Sequence, residues 1–249
     1  MSNPRVIVAD SATDVAARAA DHVEAVIARR PTAVLVLPTG RTPVELYREL
    51  KRRYAAGRID FGQVRTFNLD EWVGVAPDEP GSYAGFMTEQ LFSRVNLSAE
   101  NCHIPNGLAP DLDAECRRYD ELIRQVGGVD LAILGIGGNG HIGFNEPGTS
   151  PLVRTHAATV EPSTQLANAY AFDGRPVPSR ALTMGIATIL EAREILLLAT
   201  GAEKAEILLR ALTGPITEGV PASILRRHSN VSVLADKLAA AQLPPGERG

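Results

Sequence analysis

A histidine, His141, stands inside the glycine-rich stretch 135–148, with Asn139 two residues before it and Glu146 five residues after it. Imidazole ordinarily titrates near neutral pH, so it suits proton transfer to and from a bound molecule. Glu146 and Asn139 are placed to hold the ring. Glycines let the backbone turn sharply and come close to a ligand. The stretch follows an apolar run at 129–134, which reads as a buried strand.

Two further stretches share this form, an apolar run that ends in polar residues. Residues 33–37 lead into Pro38-Thr39-Gly40-Arg41-Thr42-Pro43 and then a helical pattern. Amides at a helix amino end, a turn permitted by Gly40 and the hydroxyls of Thr39 and Thr42 make an anion site, and Arg41 adds charge. A plain turn capped by Thr42 is an equal reading. Residues 64–68 lead into Leu69-Asp70-Glu71-Trp72. Adjacent carboxylates after a buried strand repel each other and lose hydration, so at least one needs a purpose there. Asp70 is the candidate general base, whereas Glu71 reads as a helix cap.

Something must bring these three stretches together. Strands are expected at 6–9, 33–37, 64–68, 129–134, 194–199 and 231–234. Helices are expected at 11–29, 42–54, 83–95, 111–126 and 202–212, with Ser11 and Asp111 near helix starts and Gly127-Gly128 past a helix end. Strands alternating with helices predict a mostly parallel sheet covered on both faces. In such a sheet all strand ends of one sense lie along one edge, where ligands bind. A phosphate cradle, a carboxylate base and a histidine would then converge, a set suited to proton transfer on a phosphorylated metabolite. Residues 160–180 break the alternation and read as a lid or surface excursion.

The chain has 249 residues, is 45% hydrophobic and carries a net charge of −4. Such a chain can bury a sizeable core, and a single domain over 1–249 is expected. The acidic balance and the lack of a basic run argue against nucleic acid. No apolar run approaches the ~18 residues of a membrane span. The first ten residues lack a signal peptide's apolar region. Cys102 and Cys116 read as free thiols, so a cytoplasmic location is expected. No metal is expected: His22, His103, His156 and His228 are scattered.

The motifs Leu37-Pro38-Thr39-Gly40, Thr66-Phe67-Asn68-Leu69-Asp70-Glu71-Trp72 and Gly140-His141-Ile142-Gly143-Phe144-Asn145-Glu146-Pro147 resemble the glucosamine-6-phosphate deaminase family. That family belongs to a superfamily that includes 6-phosphogluconolactonases. The resemblance continues through Ser82-Tyr83, Phe86-Met87, Ala181-Leu182-Thr183-Met184-Gly185, Gly201 with Lys204, and Pro221-Ala222-Ser223. It implies a modified doubly wound, Rossmann-like α/β fold with a lid over the crevice. The reaction it implies turns glucosamine 6-phosphate and water into fructose 6-phosphate and ammonia without a cofactor. The implied partner is a small-molecule amino-sugar phosphate, and a homo-oligomer is left open. By resemblance, Asp70 moves a proton from C2 to C1 of the open-chain sugar. His141 assists ring opening with Glu146 as its partner. Residues 39–42 and Lys204 hold the phosphate.

The sequence departs from the family pattern at several points. Asn139 stands where many relatives carry an aspartate. Tyr170 falls in the lid where an arginine is expected to grip the phosphate, while Arg41 replaces a residue that is often small. Another amino-sugar phosphate, such as galactosamine 6-phosphate, is therefore an alternative substrate. A sugar-phosphate lactonase is disfavoured by Phe144-Asn145-Glu146-Pro147 and Asp70. A non-catalytic sugar-phosphate sensor has only Tyr170 and Asn139 behind it. Allosterically activated relatives carry basic residues where this chain has His156 and Ala158. Hyperbolic kinetics are therefore predicted. A sigmoidal rate curve that straightens on adding an N-acetylamino-sugar phosphate would refute this.

Overall fold

The computed structural model describes residues 4–247. Its first elements are β1 (Arg5–Ala9), α1 (Ala12–Arg29), β2 (Val34–Leu37), α2 (Val44–Ala55) and β3 (Arg65–Asn68). A short β4 (Asp70–Trp72), α3 (Tyr83–Gln90), a two-residue β5 (Cys102–His103), α4 (Leu112–Gln125) and β6 (Leu131–Gly135) come next. Then follow β7 (His156–Thr159), α5 (Pro162–Asn168), β8 (Arg180–Thr183), α6 (Ile186–Leu190), β9 (Ile195–Ala199), α7 (Ala205–Thr213) and β10 (Val231–Asp236).

Seven strands form one parallel sheet in the order β1-β10-β9-β6-β2-β3-β5. Its central strands are apolar throughout because both faces are covered. Along β2 the side chains alternate: Val34 and Val36 enter the core on one face, Leu35 and Leu37 the core on the other. β6 divides in the same way, with Ala132 and Leu134 opposed to Leu131 and Ile133. The second of these cores is closed by α1 and α2, through residues such as Val23 and Leu46.

Local chemistry sets the helix ends. Ser11 Oγ accepts from the Asp14 amide and the Asp111 carboxylate accepts from the Ala114 amide. Beyond α4, Gly127 and Gly128 take φ of +91° and +83°, which a side chain would resist. The start of α2 differs from expectation. It begins at Val44, and no side chain caps it, so Thr42 is not a cap. The expected 83–95 helix ends as α-helix at Gln90 and continues only as a 3-10 turn at Phe92–Arg94.

A second sheet was not legible in the sequence. β4, β8 and β7 pair antiparallel in that order, and each has only three or four residues. Runs so short carry too few alternations to reveal a period. Asp70 therefore begins a strand instead of lying in a loop. The 160–180 excursion connects β7 to β8 and contains α5 and a 3-10 turn at Ala169–Ala171.

Phe172 anchors the far end of this segment. It is buried against Trp72, with ring centroids 5.5 Å apart. A Cβ on Gly81 would lie 2.4 Å from the Phe172 ring, so only glycine fits beneath it. Phe172→Ala is expected to lower stability by about 3 kcal/mol in urea denaturation. It should also hasten proteolytic cleavage within 160–180.

Candidate active site

The chain winds outward through β3 and β5 on one side of β2. After β6 it winds through β9 and β10 on the other side. β2 and β6 are parallel neighbours, so the winding reverses between them and a crevice opens at their carboxyl ends. With β3 beyond β2 and β9 beyond β6, four adjacent strands end at this edge. They lead respectively into Asp70, the 39–42 loop, the His141 loop and Lys204.

Asp70 lies two residues past β3, where the chain turns into β4 and pairs opposite Thr183. The residue is 5% exposed. Burial, and after it the charge of Glu71, pushes the Asp70 carboxyl up to about 8. A carboxyl poised there is a far stronger base than an ordinary one.

Glu71 accepts from the amides of Trp72, Tyr83 and Ala84 and from Ser82 Oγ. It caps the first turn of α3, as its sequence position led one to expect. Burial outweighs the four hydrogen bonds, which pull the other way, so the Glu71 carboxyl is held above its ordinary value.

The His141 loop is tied at several points. Gly137 N donates to His141 O at 2.9 Å, and Ala222 N donates to Gly140 O at 2.9 Å. Asn145 Nδ2 donates to the carbonyls of Ile142 and Met184. Gly137 is required for space: a Cβ there would come 2.2 Å from His141 Cε1. His141 Nδ1 lies 3.4 Å from Glu146 Oε2 and 3.4 Å from Thr164 Oγ1. Asn139 Nδ2 donates to the same Glu146 oxygen at 2.7 Å, and Asn139 Oδ1 accepts from the His141 amide at 3.1 Å. Burial pushes the Glu146 carboxyl up, but the hydrogen bonds and charge of His141, with Asn139 and Thr164, hold it below its ordinary value. Glu146 is therefore a buried anion behind the imidazole, and Asn139 braces both residues.

Asp70 and His141 open into one cavity of about 390 Å³. Thr39, Gly40, Arg41, Thr42, Tyr170 and Lys204 line it as well, while Asn139 and Glu146 stand outside its lining. Lys204 follows Gly201, whose φ is +94°. Burial lowers the proton affinity of the Lys204 ammonium, and Glu203 opposes this. The Arg41 guanidinium lies 4.0 Å from the centre of the Tyr170 ring. Tyrosine brings no cation to the lid, but its ring faces one supplied by the opposite loop.

Thr164 and Tyr83 also line up with the site, although the sequence reading gave neither a role there. Thr164 projects from α5 onto His141, and α5 is too short to show a helical period. Tyr83 lines the cavity, stacks on Phe144 and reaches Asn168 of the lid segment at 3.5 Å. Ser82-Tyr83 belongs to the family resemblance, but an aromatic residue following a helix-capping serine is ordinarily core, so its place in the cavity was not assigned.

Among the described residues there is no cluster of side chains able to hold a metal, and no helix long and apolar enough to cross a membrane. Residues 8–234 match the family described as glucosamine-6-phosphate isomerases/6-phosphogluconolactonase. Glucosamine-6-phosphate deaminase 2 of Bacillus subtilis is 47% identical over 242 residues, covering 96% of this chain and 97% of that protein. The solved structure of a monomeric glucosamine-6-phosphate deaminase superposes with a TM-score of 0.92 at 44% identity, covering 96% of this chain and 99% of that one. A 6-phosphogluconolactonase from Trypanosoma cruzi shares the fold, with a TM-score of 0.81 at 21% identity over 98% of both chains.

Gly137→Ala is expected to displace the imidazole without unfolding the chain. The His141 ring proton signal should move in the NMR spectrum while far-ultraviolet circular dichroism stays unchanged. An unmoved signal would show that the loop yields elsewhere.

Proposed function

The chain belongs to the glucosamine-6-phosphate isomerase/6-phosphogluconolactonase family, and from that premise we propose that it acts as a glucosamine-6-phosphate deaminase. The observation that carries this is the meeting of Asp70, the His141–Glu146 pair and the 39–42 loop around one cavity.

The phosphate of the substrate sits on the 39–42 loop. The amino end of α2 lacks a side-chain cap, which leaves it free to face an anion. Lys204 and Arg41 supply charge to the phosphate, and Tyr170 orients Arg41. His141 removes the C1 hydroxyl proton of the closed sugar and returns a proton to the ring oxygen, which opens the ring. Glu146 and Asn139 fix the imidazole for this step.

Asp70 then takes the C2 proton of the open-chain amino aldehyde. Electron density moves toward the C1 oxygen, which takes a proton from the substrate's own ammonium group to give an enolamine. Asp70 returns its proton to C1, leaving a C2 iminium. Water adds at C2 and ammonia departs, giving fructose 6-phosphate. His141 and Asp70 carry the protons of ring opening and of the C2-to-C1 transfer. The chain acts as one domain with 160–180 as its lid, and a cytoplasmic setting suits its two free thiols.

The decisive assay measures ammonia release across a panel of amino-sugar phosphates that includes the gluco and galacto epimers. Release from glucosamine 6-phosphate is expected. Asp70→Asn should abolish turnover and leave binding largely intact. Wild-type turnover in that variant would refute the role of Asp70. Hydrolysis of a sugar-phosphate lactone without ammonia release would refute the deaminase assignment.

A further inference from the structure

β4 carries two buried carboxyl side chains in succession, with Asp70 5% and Glu71 4% exposed. Strand alternation sends them to opposite sides. Asp70 lines the catalytic cavity, whereas Glu71 turns toward the first turn of α3 and borders a separate cavity there. Two like charges so close and so dry do not both ionise readily. Their surroundings decide which one keeps a proton.

Glu71 is the better anion. Its Oε1 accepts from Trp72 N at 2.8 Å and Tyr83 N at 3.0 Å. Its Oε2 accepts from Ala84 N at 2.8 Å and Ser82 Oγ at 3.2 Å. Three of these donors are backbone amides, which cannot accept a proton in return. Protonating either oxygen would set an O–H against a donor and break a hydrogen bond. The amides of Tyr83 and Ala84 also open α3, where the helix dipole favours a negative charge.

We propose that Glu71 is a positioning residue for the reaction, a carboxylate that ionises before Asp70, makes Asp70 hold the single proton of the pair and so keeps Asp70 a strong base. The proposal rests on the reading of Asp70 as the base. Only burial and the Glu71 charge stand behind the upward displacement of Asp70, with no hydrogen bond to Asp70 opposing them.

The other groups around Asp70 leave this assignment intact. Tyr47 of α2, Tyr83 of α3 and Tyr119 of α4 are buried near it, and their hydroxyls are pushed upward, so they stay neutral at working pH. His141, Lys204 and Arg41 face the cavity from three other loops, and Glu146 stands behind His141. The first three line the cavity, while Glu71 borders the separate cavity beside α3. It is the anion adjoining Asp70 in sequence.

The test is the pH dependence of kcat/KM for ammonia release from glucosamine 6-phosphate in wild type and Glu71→Gln. Substrate titration is common to both proteins, so a difference belongs to the enzyme. Without the Glu71 charge Asp70 loses its proton more readily. The acid limb of the profile should therefore move to lower pH by about one unit, with a lower plateau. A lower plateau with an unmoved limb would mean that Glu71 only caps α3, and would overturn the proposal.

Carboxyl carbon NMR of the wild-type protein tests the same point even if Glu71→Gln fails to fold. Asp70 should titrate near neutral pH, and Glu71 should lose its proton at lower pH than Asp70. The reverse assignment, or an ordinary carboxylate titration for Asp70, would overturn the proposal. Should the wild-type protein release no ammonia from any amino-sugar phosphate, the deaminase reading fails, while the NMR titration still decides which carboxyl holds the proton.

Discussion

The parallel pairing of β2 with β6 is the constraint on which the rest of the site depends. It joins the strand before the 39–42 loop to the strand before the His141 loop. The winding of the sheet reverses between these two strands, so no connecting helix fills the space beyond their carboxyl ends. Both strands are apolar because helices cover both faces, and they offer little freedom to shift register. The candidate residues are therefore mounted at the ends of buried central strands, His141 and residues 39–42 in loops and Asp70 at the start of β4.

The small antiparallel sheet does the complementary work. It takes the chain just after β3 and folds it over the crevice, so that Asp70 becomes part of a paired strand. Thr183 stands at the centre of this arrangement. It pairs opposite Asp70 and His156, and its hydroxyl accepts from the Phe144 amide. The glycine loop, the base and the lid segment are thus held to one another through β8. Gly143, with φ of +56°, completes the join, since a Cβ there would lie 2.8 Å from Thr183 Oγ1. Trp72, Tyr83, Phe144 and Phe172 form the apolar cluster that secures the lid segment from below.

Charge is distributed unevenly around the cavity, and burial is what makes the distribution matter. Glu146 and Glu71 are both buried and both surrounded by donors, yet they serve different neighbours. Glu146 holds an imidazole, whereas Glu71 leaves Asp70 uncompensated. Asp70 faces the cavity with no hydrogen bond to satisfy its charge, a costly placement that suits a proton acceptor. At the opposite wall, the pairing of Arg41 with Tyr170 moves a cation from the lid to the fixed 39–42 loop. The 160–180 segment then contributes an aromatic surface to the cavity, and the cation stands on the sheet-edge loop.

Much of this was legible in the residues themselves. The six apolar runs read as strands all lie in the large sheet, and the three polar stretches that follow them meet at one edge as their common sense required. Helix starts at Ser11 and Asp111 were also readable, because each depends on neighbours a few residues away. The second sheet, the placing of Asp70 within a strand, and the contacts of Thr164 and Tyr83 were not readable. They arise from pairings across roughly 20 to more than 100 residues between elements too short to carry a period. Sequence alone determined which side chains this protein has for proton transfer and which edge of the sheet they occupy. Only the tertiary structure decided their environment. Burial on β4, and the donors that reach Glu71 but not Asp70, give two adjacent acids different proton affinities.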